Sequence, residues 1–488
     1  IVVLNDNEMS ISKNVGAMAY YLSHIITGQF YLRFRQETDA IVRSLPGGIS
    51  MLKWAKKVEE HLKGLITSGI LFEELGFRYF GPIDGHKLSR LITTFENVKS
   101  LKTPILIHVT TKKGKGYLPA EKNPSSFHGI GAFDPQCGES EKFNQIPSFT
   151  SVFGKTITRI ASEDEKVLAI TAAMPEGTGL VEFSRRFPKR FFDVGIAEQH
   201  SISFAATLAL EGFKPVVAIY STFLQRSYDQ VINDLCIMKS PVTLVLDRAG
   251  LVGEDGPTHH GAFDISYLRH IPNLLFMSPK DENELQHMLK TALECQRPVA
   301  IRFPRGCGFG IPLDQELKTL PIGQAELLEE GEDVVMIAIG HMVHPTHQAA
   351  LRLKKEGVRA CVINARFIKP LDCQLIAQMV LKTGRFLTVE DNALQGGFGS
   401  AILEMLQEQG ISGFECKRLG LPDSFICHGS VKILRRACGL DEEGIYTAAR
   451  VLMGKQKERT CPVFDVKAPF SPDIINPFLE KNSNFLKR

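Results

Sequence analysis

The sequence lacks any apolar run long enough to cross a membrane, since runs such as residues 334–339 fall far short of the ~20 residues that a bilayer helix needs. Its ten cysteines form no C-x-x-C pair, which argues against a zinc site or a disulfide framework. A net charge of +3 does not favour nucleic acid as a partner. Asn5, Asp6 and Glu8 interrupt the first apolar residues, so no signal peptide is indicated. We therefore expect a cytoplasmic or plastid stromal protein with no membrane segment.

The sequence also lacks an initiator methionine and begins inside a run, residues 1–4, that is typical of a buried strand. A central strand needs neighbours on both sides, and no residue before Ile1 supplies one. We expect the numbered chain to be a fragment of a longer protein. At 488 residues it is still long enough for about three domains.

Strand and helix signals alternate along most of the chain, which predicts an α/β protein with three doubly wound, mostly parallel sheets, the first incomplete. We place the domains at 1–145, 146–318 and 319–454, followed by an extended, proline-rich tail at 455–488. An insertion at 27–76 contains an apolar stripe that predicts a helix over 51–66. The predicted strands are 1–4, 77–80, 104–109, 167–171, 191–194, 215–220, 242–247, 274–277, 299–303, 334–339, 360–364 and 386–390.

Glu198 lies at the centre of the sequence interpretation. Residues 191–194 predict a short buried strand, Gly195 a turn, and the residues from Ile196 onward a helix. The carboxylate is thereby placed beyond the carboxyl end of a parallel strand, where ligands bind in open α/β sheets. An acid shielded there by apolar neighbours could exchange a proton. Alternatively, Glu198 only complements the dipole of its helix, and the local spacing leaves both interpretations open.

Three later strand ends are rich in polar and cationic side chains. They are the segments 220–226, 247–261 and 302–306. Glycines in the second segment allow close backbone approach to a ligand, and Arg248 could bind a phosphate through two hydrogen bonds. Arg305 adds a second cation. The pattern predicts a site for a phosphorylated substrate, with a solvated surface as the alternative.

Residues 5–9 follow the first strand and contain oxygen ligands of the kind that a hard cation prefers. Taken alone, this segment can equally be a polar turn between a strand and a helix.

Read in order, these motifs resemble the 1-deoxy-D-xylulose-5-phosphate synthase family, thiamine-diphosphate enzymes of the transketolase superfamily. The resemblance runs from residue 1 to about residue 454. The segments that carry it are 5–12, 81–86, 113–117, 193–200, 220–226, 247–261, 366–372, 389–392, 396–400 and 420–423.

The resemblance implies a homodimer that condenses pyruvate with D-glyceraldehyde 3-phosphate, with loss of CO₂, in the first step of the non-mevalonate isoprenoid pathway. The domain at 1–145 would be the remainder of the diphosphate-binding domain, and 146–318 the pyrimidine-binding domain. Thiamine diphosphate and Mg²⁺ would be the cofactors. The implied residue roles are catalysis by Glu198, His259, Asp255 and His128; cofactor binding by Asn7, Tyr117, Glu198 and Phe223; substrate binding by Tyr220, Arg226, Arg248 and Arg305; and Mg²⁺ ligation by Asn7 and the Met9 carbonyl.

One family element is missing from the numbered residues. The family carries a Gly-Asp-Gly metal motif before the position of Asn7, and this sequence contains none. We therefore expect the chain alone to bind cofactor weakly and to be nearly inactive. A transketolase or a 2-oxo-acid dehydrogenase β-subunit is the closest rival enzyme, although neither would have the pattern of 247–261. A non-catalytic assembly protein is the rival of another class, and the retention of Glu198, Arg248, Asp255 and His259 weighs against it.

Overall fold

A computed structural model of the chain describes residues 1–12, 14–16, 69–139 and 146–454. These residues form three sheets, each with helices packed beside it. The sheets are mostly parallel, as predicted, because most consecutive strands are joined through helices. The helix predicted over 51–66 and the tail at 455–488 lie outside the described residues.

The first sheet has three parallel strands in the order β1-β3-β2. Its strands are β1 (Val2–Asp6), β2 (Arg78–Asp84) and β3 (Ile105–Thr110), and its helices are α1 (Ile70–Glu74), α2 (Leu88–Val98) and α3 (Leu118–Lys122). Residues 105–109 of β3 are buried because a strand lies on each side.

The first sheet differs from the predicted strands in two details. Val2 and Val3 of β1 are 47% and 48% exposed, since β1 is at the edge of the described sheet rather than at its centre. The strand predicted at 77–80 is longer in the structure, because β2 continues to Asp84 with an irregular register between Phe80 and Ile83.

The second sheet has seven strands in the order β13-β8-β9-β7-β6-β4-β5. Its strands are β4 (Val167–Thr171), β5 (Phe191–Asp193), β6 (Lys214–Tyr220), β7 (Thr243–Asp247), β8 (Leu275–Met277), β9 (Val299–Arg302) and β13 (Phe367–Lys369). Its helices are α4 (Phe149–Glu163), α5 (Val181–Arg186), α6 (Glu198–Leu210), α7 (Ser221–Leu224), α8 (Tyr228–Gln230), α9 (Asp264–Leu268) and α10 (Glu282–Glu294). A 3₁₀ turn, Gln225–Ser227, joins α7 to α8, and a π-helical segment, Val231–Ile237, follows α8.

The third sheet has the order β10-β12-β11-β14-β15. Its strands are β10 (Glu326–Glu329), β11 (Val334–Ala338), β12 (Ala360–Asn364), β14 (Arg385–Ala393) and β15 (Glu415–Leu421). Its helices are a 3₁₀ turn (Gly340–Met342), α11 (Val343–Lys354), α12 (Cys373–Thr383), α13 (Phe398–Glu408), α14 (Val431–Ala437) and α15 (Glu442–Leu452). Helix α15 begins with a typical N-cap, since the side chain of Asp441 accepts a hydrogen bond from the Gly444 N–H.

Strand β13 joins the second and third units. It follows β12 in the sequence, yet it pairs antiparallel with β8 at the edge of the second sheet. The apolar core is correspondingly shared, because Ile368 packs in the same cluster as Phe276 of β8 and Ile376 of α12. The sequence did not indicate this pairing, since a strand of three residues is too short to show an alternation of apolar and polar side chains.

The strands β4, β6, β7 and β9 are parallel neighbours, so their carboxyl ends lie along one edge of the second sheet. The segments that follow these ends are 172–180, 221–230, 248–261 and 303–308. The candidate site is built at this edge.

Candidate active site

Glu198 begins helix α6 and is almost fully buried, with 3% of its surface exposed. The turn before it is fixed by Asp193, whose Oδ1 accepts hydrogen bonds from the N–H groups of Ala173 (2.8 Å) and Gly195 (3.0 Å). Gly195 has φ of 72°, a conformation that favours glycine. The Arg226 Nη1 donates to Glu198 Oε2 at 2.6 Å, whereas Oε1 has no hydrogen-bond partner among the described residues. The carboxylate therefore keeps one oxygen for another donor.

The segment that carries Asn7 and Met9 is tied to the same turn. Ser12 Oγ donates to Asp193 Oδ2 at 2.7 Å, although the two residues are 181 positions apart in the chain. Asn7 Oδ1 accepts a hydrogen bond from the Met9 N–H at 3.0 Å, which curls the segment back on itself. An amide oxygen has two lone pairs, so Asn7 Oδ1 retains one for a cation. The first unit thus contacts, through Ser12, the turn that precedes α6.

Aromatic rings line the edge beyond β6. The Tyr220 and Phe223 rings are stacked with centroids 5.5 Å apart, and the His259 ring meets Phe223 edge-on at 5.4 Å. Burial raises the pKa of the Tyr220 hydroxyl, although the nearby Arg248 opposes the shift. Tyr220 is consequently a neutral hydrogen-bond donor at physiological pH.

Arg248 is held over this group from the end of β7. Its guanidinium lies 4.0 Å from the Tyr220 ring centroid, it pairs with Asp247 at 3.0 Å, and it donates to the Gly177 carbonyl. Its backbone has φ of 61°, which for a non-glycine residue costs about 1–3 kcal/mol and is found mostly at functional sites. Burial raises the pKa of Asp247, although the adjacent Arg248 cation opposes the shift.

Arg305, after β9, lies on the other side of the loop 248–261. Its Nη1 is 2.6 Å from Asp255 Oδ2 and 3.2 Å from the Val252 carbonyl oxygen. The Arg305 and Asp255 side chains are 37% and 43% exposed, so a ligand can reach both. The structure therefore brings Tyr220, Phe223, Arg248 and His259 into one contact group, and Arg305 pairs with Asp255, which lies on the same loop as Arg248 and His259.

The structure does not bring every predicted residue into this group. Arg226 contacts Glu198 rather than Arg248 or Arg305. Tyr117 packs its ring on Phe127 and Phe133 and donates its hydroxyl to the Pro135 carbonyl. These three residues and Tyr117 lie on the 112–139 segment, and their contacts stabilise that segment locally.

His128 is exposed, and its Nδ1 is 3.0 Å from Lys113 Nζ. Partial burial and the Lys113 cation lower its pKa, so His128 is a neutral proton acceptor at physiological pH. Lys113 Nζ also donates to the Ser10 carbonyl at 2.9 Å, which links His128 to the segment containing Asn7.

Sequence reasoning missed the segment 172–180. Its Gly177 carbonyl accepts from Arg248, and a side chain at Gly177 would collide with the Tyr220 hydroxyl at 2.2 Å. The pair Gly177 and Gly179, placed directly after β4, was the available signal, because glycines beyond a strand end indicate close approach. Ser12 and Asp193 were also missed.

Models of three protein families match consecutive parts of the chain. The description "1-deoxy-D-xylulose-5-phosphate synthase" matches residues 1–111, "Transketolase, pyrimidine binding domain" matches 146–308, and "Transketolase, C-terminal domain" matches 323–445. Together they span most of the described fold.

Curated relatives are similar over nearly the whole chain. The 1-deoxy-D-xylulose-5-phosphate synthase 1 of Geobacter sulfurreducens is 54% identical over 93% of this chain and 71% of that protein. The 1-deoxy-D-xylulose-5-phosphate synthase of Heliobacterium modesticaldum is 55% identical over 94% of this chain and 71% of that protein. Among solved structures, a split gene transketolase in its inactive beta4 tetramer is 28% identical with a TM-score of 0.56, over 64% of this chain and 99% of that one.

Proposed function

Since the chain belongs to the 1-deoxy-D-xylulose-5-phosphate synthase family, we propose that the Glu198 turn and the group around Tyr220 are the two halves of its active site. The reaction is the thiamine-diphosphate-dependent condensation of pyruvate with D-glyceraldehyde 3-phosphate, which releases CO₂ and gives 1-deoxy-D-xylulose 5-phosphate. It is a transferase reaction of the transketolase type. The observation that supports this placement is the gathering of a buried acid, aromatic rings and two arginines at one sheet edge.

The residues fit thiamine diphosphate. The cofactor, when bound, supplies a nucleophilic carbon and an electron sink for the decarboxylation of pyruvate. Glu198 is buried and keeps one carboxylate oxygen for a donor, which is what a ring nitrogen of the aminopyrimidine requires. Phe223 offers an apolar ring beside it. Tyr117 is proposed to line the cofactor pocket from the 112–139 segment.

The oxygens of Asn7 and the Met9 carbonyl are proposed to ligate Mg²⁺ beside the diphosphate. Both are hard donors, and Mg²⁺ prefers oxygen ligands. The contact from Ser12 to Asp193 supports the proposal, because it holds this segment against the turn that precedes Glu198.

Glu198 has the role of holding a proton against the cofactor ring. The Arg226 Nη1 lies 2.6 Å from Glu198 Oε2, so the second carboxylate oxygen is the one left for a ring nitrogen. Arg226 is half exposed, so it can also turn toward a substrate anion. We propose that it serves both the acid and the substrate.

Arg248, Arg305 and Tyr220 are proposed to bind the phosphate of D-glyceraldehyde 3-phosphate. Arg248 is positioned in advance by Asp247 and by the Gly177 carbonyl, so little side-chain entropy is lost on binding. Arg305 is paired with the exposed Asp255, which a phosphate could replace as its partner.

Asp255, His259 and His128 are proposed to carry protons and orient the substrates. His259 contacts Phe223 and has its Nδ1 2.9 Å from the Thr258 hydroxyl, which leaves Nε2 directed elsewhere. His128 lies on a different segment, so its role requires the two segments to face one ligand. A neutral imidazole, as at His128, is suited to accept a proton.

A homodimer in the bacterial cytoplasm or the plastid stroma completes the proposal. The relatives named above are bacterial. In the part of the chain that the structure describes, no helix is long and apolar enough to span a bilayer.

The test is steady-state kinetics of the full-length protein, supplied with thiamine diphosphate and Mg²⁺, with CO₂ and deoxyxylulose phosphate as readouts. Replacing Arg248→Ala removes a charged hydrogen-bond partner of the phosphate, which is worth about 1.5–3 kcal/mol. We expect KM for D-glyceraldehyde 3-phosphate to rise about tenfold to hundredfold, with KM for pyruvate nearly unchanged. Arg186→Ala, which removes a half-exposed arginine paired with Glu182, is the matched control. Equal effects on both KM values would contradict the assignment.

A further inference from the structure

The loop 248–261, which carries Arg248, Asp255 and His259, is closed at its base. Gly250 and Gly261 exchange two backbone hydrogen bonds, each 2.8 Å long. We call this pair of glycines the neck of the loop. Its geometry sets the direction in which the loop leaves the sheet.

Asp391, from the third unit, is packed directly against the neck. Its side chain is fully buried at the end of β14, and its Oδ1 accepts a hydrogen bond from the Leu251 N–H at 3.1 Å. A β-carbon on Gly250 would lie 2.3 Å from the carboxylate carbon of Asp391, and Gly250 has φ of 73°. Both facts require glycine at position 250, so the carboxylate and the neck fit closely.

The Asp391 carboxylate is itself held by two further residues. His341 Nε2 lies 3.0 Å from its Oδ2, and Arg435 Nη2 lies 3.5 Å from the same oxygen. These groups lower the pKa of Asp391 to about 2 despite its burial. Burial and the Arg435 cation lower the pKa of His341 to about 4, so at neutral pH Arg435 supplies the compensating charge.

The same network reaches the helix that carries Phe223. Arg302, buried at the end of β9, donates from Nη2 to the Asp391 carbonyl oxygen at 2.9 Å. Its Nε is 3.0 Å from both carboxylate oxygens of Asp264. Asp264 in turn accepts from the Ser221 hydroxyl at 2.9 Å, at the first residue of α7.

We propose that Asp391 is a positioning residue for the phosphorylated substrate: it fixes the neck and thereby orients Arg248, Asp255 and His259. The inference rests on the proposed phosphate-binding role of that loop. It gives the third unit a part in catalysis in addition to its structural one.

The adjacent Glu390 provides a matched control. It is buried to the same extent as Asp391 on the same strand, but its carboxylate accepts from the Phe398 and Gly399 N–H groups of its own unit. A change at Glu390 therefore perturbs the third unit without removing a bond to the loop.

The experiment compares Asp391→Asn, Gly250→Ala and Glu390→Gln with the unmodified protein. Hydrogen–deuterium exchange of peptides from 248–261, measured without substrate, reports the neck and does not depend on activity. We expect exchange in this loop to accelerate about tenfold to hundredfold in the first two variants and to stay unchanged in the third. Gly250→Ala disturbs the same contact between the neck and the Asp391 carboxylate, but from the side of the loop. It provides the test if Asp391→Asn does not fold.

The kinetic readout separates this inference from the proposed function. We expect Asp391→Asn to raise KM for D-glyceraldehyde 3-phosphate more than KM for pyruvate. If Arg248→Ala raises that KM and Asp391→Asn does not, the positioning role is wrong and the phosphate site stands. If neither variant raises it, the loop does not bind the phosphate and the proposed phosphate site is wrong as well. If hydrogen–deuterium exchange in the loop 248–261 is unchanged in both Asp391→Asn and Gly250→Ala, the inference is also wrong.

Discussion

Glu390 makes the free energy of unfolding depend on pH in a way that one substitution can remove. The residue is fully buried, and its two carboxylate oxygens accept the N–H groups of Phe398 (2.7 Å) and Gly399 (2.9 Å) at the start of α13. Burial raises its pKa from the ordinary 4.5 to about 7, although the two N–H groups oppose the shift. The neutral carboxyl is therefore the form that the folded protein favours.

The direction of the effect follows from comparing the two states. Below pH 4.5 the carboxyl is protonated in both the folded and the unfolded chain, so its contribution to stability is fully present. Between 4.5 and about 7 the unfolded chain loses the proton first, and stability falls as the pH rises. At about 1.4 kcal/mol per pKa unit, the loss across this window is about 3 kcal/mol.

The assay is urea denaturation followed by circular dichroism at pH 5 and pH 8, for the unmodified chain and for Glu390→Gln. We expect the unmodified chain to lose about 2.5 kcal/mol more than the variant between these pH values, because part of the loss has already occurred at pH 5. Subtracting the change in unfolding free energy measured for Glu390→Gln from that of the unmodified chain cancels the contribution of every other titrating group. A difference near zero would refute the reasoning, since it would mean that the two N–H groups compensate fully for burial. A difference of the opposite sign would mean that they outweigh it.

Two further predictions concern buried charges at the site and beneath it. Glu198→Gln removes the acid while keeping the shape of the side chain. We expect kcat of the full-length protein to fall about 10²–10⁴-fold, with an unchanged circular dichroism spectrum. A decrease below tenfold would contradict the assigned role. Asp264→Ala leaves Arg302 buried without its partner, and we expect a loss of about 3–5 kcal/mol in urea denaturation. Glu404→Ala breaks a pair in which the carboxylate is 57% exposed, so it should cost at most about 1 kcal/mol. Similar losses in both variants would contradict the argument.

The parallel strands were largely predictable, because each is a short apolar run bounded by turn residues. The intervals predicted at 167–171 and 360–364 match β4 and β12 at both ends. Strands with weaker patterns were missed. Strand β10 consists of two leucines between two glutamates at a sheet edge, and β15 begins with the exposed Glu415 and Cys416. Tertiary pairing decides the conformation of such segments, and a single sequence does not show which partner they meet.

The candidate site was predictable to the extent that it consists of strand ends. Tyr220 ends one parallel strand, and Arg248 and Arg305 follow two others, so the local sequence places all three at one edge of the sheet. Arg226 differs, because helix geometry rather than a strand end decides its direction. Its contact with Glu198 depends on the bend from α7 into the 3₁₀ turn Gln225–Ser227, which the residue pattern does not show.

The long-range contacts that fix the site could not be predicted from the sequence, and the reason is the same for each contact. Asp391 and Leu251 are 140 positions apart, and Ser12 and Asp193 are 181 apart, so no local period relates them. One sign was nevertheless present in the sequence. Residues 390–392 place three polar side chains at the end of an apolar strand, and all three are fully buried. Burying polar groups is costly unless each is hydrogen-bonded, so such a run implies partners brought from elsewhere in the chain. For Asp391 that partner is the loop proposed to bind the substrate phosphate, which is why a residue of the third unit can affect a site built on the second.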